Sequence, residues 1–210
     1  MEEAKVQQLS IRPSSSEILF LCELSESDIQ KVSTLIDAAR DIIYEYFEAR
    51  TTFDIIICYG PWDMEVQIVS RIHNFSSGRY YNVRSPGITD YHLKEIVFRY
   101  DIARFGHYLH ELIHGVISSR HPHQMREGLA WYFTLLLTET KRYLQPHYPS
   151  MLDDLCIFPV RKMARIMGPE FLKDFALGRA TVFEDSFSQD IKELFLPEEV
   201  FYAKKRYSKY

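Results

Sequence analysis

The sequence predicts an α+β fold: a small mixed β-sheet, one helix carrying the candidate site, and a mostly helical C-terminal half. Three observations predict it. Apolar runs of strand length, "EILFLCEL" (17–24) and "FDIIICYG" (53–60), alternate with helical periodicity in the first half. From Ala103 onward the apolar spacing is helical almost to the end. With 210 residues, 46% of them hydrophobic and 14% aromatic, the chain has material for one good core.

The elements follow in order. Residues 1–16 form a polar tail, set off by the flexible patch "RPSSSE" (12–17). A strand at 17–24 precedes a helix over 25–50, whose apolar residues include Ile29, Val32, Ile36, Ile43 and Phe47, with Ser or Asp as N-cap. The β-branched run at 53–60 reads as a buried strand, and "PWDMEVQIVSRI" (61–72) as a short helix opened by proline. Residues 74–92 read as loop with a short strand at 79–83. "KEIVFRYDI" (94–102) alternates enough to be a strand near a sheet edge. Helices are expected at 103–119, 123–142, 158–167, 169–178 and about 184–195. The whole is one domain over 17–203, an α/β part to residue 120 and a helical part from 121, with a basic tail at 204–210.

A formal net charge of −4 gives no bulk attraction to nucleic acid or to an anionic membrane surface. No run approaches the ~18 apolar residues of a membrane span, and the acidic, polar start lacks the pattern of a secretory signal. The expectation is a cytoplasmic protein, with export by a route that reads no such signal still compatible. Cys22, Cys58 and Cys156 are odd in number and form no CxxC pair, so they read as buried thiols of a reducing compartment.

The stretch "HYLHELIHGVISSRHPHQMREGLAWYF" (107–133) holds five of the eight histidines. His110 and His114 spell H-E-x-x-H with Glu111. Four residues is one helical turn, so both imidazoles point to a common place. Neutral imidazoles suit Zn²⁺, and a carboxylate next to the first histidine can work on a water there without being a ligand. A catalytic zinc needs a third protein ligand. The metzincin continuation, glycine and then histidine after the motif, is absent: Ile117 and Arg120 stand there. Glu127, thirteen residues after His114 and near the start of the next helix, is the leading candidate; His121 and His123 in the loop are its rivals. His107 lies seven residues before His114, about 10.5 Å along the helix, and belongs at a cleft rim or in packing.

H-E-L-I-H followed by Glu127-Gly128-Leu129-Ala130 resembles the gluzincin metallopeptidases, in particular the small minigluzincins or peptidase-MA-like proteins. The motifs span 110–130 and the order of elements extends the likeness over roughly 53–140. The resemblance implies a zincin-like fold, zinc held by His110, His114 and Glu127, and Glu111 as general base and acid in peptide hydrolysis. It implies a peptide or protein substrate extended along "EIVFRY", with Val97, Phe98 and Arg99 as contacts by strand addition. It also implies an oxyanion-stabilising residue after the glutamate helix, for which Tyr143, His147 and Tyr148 are candidates. Asp153 and Asp154 could orient a ligand histidine, or cap a helix. Two other readings stay open: a zinc-binding but latent module, self-inhibited by a terminal segment in its cleft, and an exported effector protease.

Overall fold

A computed structural model describes residues 17–60, 85–140 and 151–180. Within them the fold is α+β, with four strands in one small mixed sheet and five helices. The chain divides into two compact units, Met1–Val116 and Ile117–Tyr210. The expected helix at 61–72, the strand at 79–83, the helix near 184–195 and both tails lie outside the described residues, as do Tyr143, His147 and Tyr148.

The first unit holds β1 (Ile18–Phe20), α1 (Glu26–Phe47), β2 (Asp54–Cys58), β3 (Gly87–Asp90), β4 (Glu95–Arg99) and α2 (Phe105–His114). Helix α1 starts where Ser25 Oγ accepts from the Asp28 amide at 3.2 Å, so the expected serine N-cap is the one used. Its buried stripe, Val32, Ile36, Ala39, Ile43 and Phe47, keeps helical period, and the helix packs against α2.

The strand order is β1-β2-β4-β3. β1, β2 and β4 run parallel, and β3 is antiparallel to β4, with Gly87 opposite Phe98 and Asp90 opposite Glu95. Ile55, Ile57, Ile96 and Phe98 share one face of the sheet, which α2 covers through Tyr108, its ring centroid 4.7 Å from that of Phe98. Ile56, Cys58 and Val97 form a second cluster on the other face, with Leu21 and Ile88 against it. Cys58 is buried, whereas Cys22 and Cys156 are half-buried, so only one of the three thiols lies as deep as expected.

Two expectations are corrected here. β4 lies next to an edge strand but is not one itself, as strand addition along it would require: it pairs with β2 on one side and β3 on the other. Its apolar triplet Ile96-Val97-Phe98 is buried on both faces, as an interior strand requires, and the charged ends Glu95 and Arg99 had imitated alternation. Val97, Phe98 and Arg99 are therefore enclosed, and strand addition along them is ruled out by the pairs they already make. Among the described residues the strand outside β4 is β3, in a segment read as loop. Asp90 Oδ1 accepts from the amides of His92 at 2.8 Å and Leu93 at 3.0 Å, which turns the chain into β4, and Lys94 takes a left-handed φ of 55°.

The second unit holds α3 (His123–Thr140), α4 (Met151–Met167) and α5 (Pro169–Ala176). Met125, Leu129, Ala130, Trp131, Phe133, Leu135 and Leu137 of α3 are buried, so the helix is enclosed on more than one face. Thr134 and Thr138 tolerate this by donating to carbonyls one turn back, of Ala130 and Thr134, each at 2.7 Å. Helix α4 begins seven residues before the expected 158, because Pro159 sits inside the helix and does not open it. Gly168, at φ 87°, breaks the chain before Pro169 starts α5. No helix among the described residues is long and apolar enough to cross a membrane.

Candidate metal centre

Helix α2 carries His110, Glu111 and His114, exposed by only 6%, 9% and 2%. The helix is shorter than the expected 103–119. It stops at Gly115, where an added Cβ would run into the Thr51 side chain. Its first turn is closed by His107, whose Nδ1 accepts from the Arg104 amide at 2.9 Å, a capping role the sequence does not announce.

The one-turn spacing brings His110 Nε2 and His114 Nε2 to 3.2 Å, with the rings nearly perpendicular at 88°. Two nitrogens bonded to one tetrahedral zinc stand ~3.3 Å apart, given bonds of about 2.0–2.1 Å. The histidine pair already has that separation. Glu127, the carboxylate the sequence offers as third donor, belongs to the second unit.

Two residues absent from the sequence reading touch the motif. Thr89 of β3 donates its hydroxyl to Glu111 Oε2 at 2.7 Å, with the Glu111 carbonyl oxygen at 3.3 Å. Tyr91, two residues on, hydrogen-bonds His114 Nδ1 at 2.7 Å, and its ring meets those of His114 and Phe53 edge to face. Gly87 permits this approach. A Cβ there would stand 2.7 Å from Glu111 Cγ and 2.9 Å from the Phe98 ring. No spacing rule joins residues 22 or 23 apart, so only the β3–β4 hairpin could have pointed to them.

In the second unit Glu127 lies half-buried in the first turns of α3, with His123 Nδ1 at 3.6 Å from its Oε1. Gly128 follows because α4 leaves no room for a side chain: its Cβ would collide with the Cys156 carbonyl oxygen. His121 is occupied elsewhere. Its Nε2–H donates to the Phe175 carbonyl at 2.7 Å, and burial lowers its pKa. It is half-buried. Asp153 and Asp154 fall at the start of α4. Arg99 forms a bidentate pair with Asp101, Nε to Oδ1 at 3.0 Å. Comparison with protein families, with curated proteins and with solved structures finds no match to this chain.

Proposed function

We propose that the protein is a zinc-dependent metallopeptidase of gluzincin type. The observation that carries the reading is the buried His110–His114 pair, 3.2 Å apart between Nε2 atoms, with Glu111 beside it on the same helix; the reading adds Glu127 as third donor. Two imidazoles and a carboxylate are a donor set for zinc, and three protein ligands leave one position for chemistry. When bound there, zinc supplies Lewis acidity that polarises a carbonyl and acidifies water.

The chain's own residues do the rest. Glu111 takes a proton from the attacking water and returns it to the departing amine, so that water and a peptide bond become a carboxylic acid and an amine. The Thr89 hydroxyl holds that carboxylate. With Val97–Arg99 enclosed, an extended substrate backbone has the outer strand β3 to pair with, beside Glu111.

The test measures bound zinc in the purified protein, and peptide hydrolysis with and without a chelator, for wild type and Glu111→Gln. The expected result is stoichiometric zinc in both proteins, with hydrolysis only in the wild type. Absence of zinc, or equal hydrolysis by the two proteins, overturns the reading.

A further inference from the structure

We propose that the β3 hairpin positions the motif helix through two residues: Tyr91 sets the ring of His114, and Thr89 sets the carboxylate of Glu111. The proposal rests on the metallopeptidase reading for its kinetic consequences, but its structural content concerns residues of the first unit alone.

Strand geometry makes the pairing possible. Side chains two apart leave a strand on the same side, so Gly87 and Thr89 both address α2, and Tyr91, in the turn just after β3, reaches the same helix. They carry side chains of increasing reach: none, a hydroxyl on Cβ, and a phenol. Gly87 admits the Glu111 Cγ, Thr89 meets its Oε2 at 2.7 Å, and Tyr91 meets His114 Nδ1 at 2.7 Å. Glu111 and His114 are three apart, neighbours on one helix face. One short segment thus grips both.

Each contact has a chemical consequence. A histidine that binds metal through Nε2 carries its proton on Nδ1. The Tyr91 oxygen at 2.7 Å accepts that proton and fixes both tautomer and ring plane, leaving the Nε2 lone pair beside His110 Nε2. The Thr89 hydroxyl occupies one side of Oε2. It removes the rotation about Cγ–Cδ that would otherwise let the carboxylate turn away from a bound water. Both are positioning residues, since each acts through a residue of the motif, Tyr91 through His114 and Thr89 through Glu111.

The experiment compares wild type with Tyr91→Phe, Thr89→Val and Thr89→Ser. Zinc affinity is read by competition with a chromophoric chelator, geometry by the visible spectrum of the Co²⁺ form, and turnover as separate kcat and KM. Tyr91→Phe is expected to weaken zinc roughly tenfold to hundredfold and to alter the Co²⁺ bands. Thr89→Val is expected to keep zinc affinity and KM and to lower kcat roughly tenfold to hundredfold, the effect of losing one hydrogen bond to a charged group. Thr89→Ser restores kcat.

An infrared difference between each protein and its Glu111→Gln counterpart isolates the Glu111 carboxylate stretch. It should move in Thr89→Val and not in Thr89→Ser. Unchanged zinc affinity in Tyr91→Phe, or an unmoved carboxylate stretch in Thr89→Val, overturns the corresponding half. A wild type that binds zinc but cleaves no peptide overturns the metallopeptidase reading alone, because the affinity and infrared measurements still decide the positioning. A wild type that binds no zinc overturns the Tyr91 half as well.

Discussion

The donors on α2 and the donor on α3 are held in different ways. His110 and His114 are buried, set one helical turn apart, and His114 is bonded from a neighbouring hairpin. Glu127 is half-buried, and the base close to it, His123, is itself exposed, with 65% of its side chain open to solvent. In the proposed site, a rigid pair of nitrogens and a more exposed, adaptable oxygen would let most of the ordering cost of metal binding fall on folding, before the ion arrives.

This contrast can be broken experimentally, starting with the largest effect. Glu111→Gln should lower hydrolysis by about 10²–10⁴-fold, the usual contribution of general acid–base catalysis, while zinc stays bound. Loss of zinc in this variant would mean that Glu111 serves the rigid pair as well as the chemistry. Next, His114→Ala should cost more zinc affinity than Glu127→Gln, and more than the ~10–100-fold of an outer-sphere partner. Chelator competition measures both; equal losses would erase the distinction between fixed and adaptable donors.

Gly87→Ala asks how tight the rigid side is. The new Cβ meets Glu111 Cγ and the Phe98 ring, so unfolding stability should fall by about 1–3 kcal/mol in a denaturant titration. Hydrolysis should drop with it. An alanine that costs nothing would show the hairpin to be as adjustable as Glu127.

The smallest effect concerns the helical unit. Burial lowers the His121 pKa from its ordinary 6.5, so the folded protein holds this ring neutral where the unfolded chain protonates it. Its contribution is therefore complete above the unfolded value and is lost as pH falls towards the folded one. Between about pH 7.5 and 5.5 the thermal midpoint should fall more for wild type than for His121→Gln. A parallel fall in both would remove His121 from the account.

Much of this was legible in the chain, and what was not has a common cause. H-E-x-x-H is a local pattern: one turn of helix decides it, and the two nitrogens converge as the spacing requires. The run "DIIIC" is apolar on both faces and could only be an enclosed strand. β3 is different. "GITD" has a glycine and an aspartate in four residues, and only its pairing with β4 makes it a strand. With this segment read as loop, β4 reads as outer and Thr89 and Tyr91 as loop residues. Pro159 misled for the opposite reason: a local rule about helix starts lost to packing, with Ile157 and Val160 on either side of it buried.

Gly128 has a further consequence. Because the α3 backbone at this residue runs against the Cys156 carbonyl of α4, any roll of α3 about its own axis would drive a neighbouring side chain into that space. The glycine thus indexes the helix to one rotational setting. The direction in which residue 127 leaves the helix is decided by an atom that residue 128 lacks.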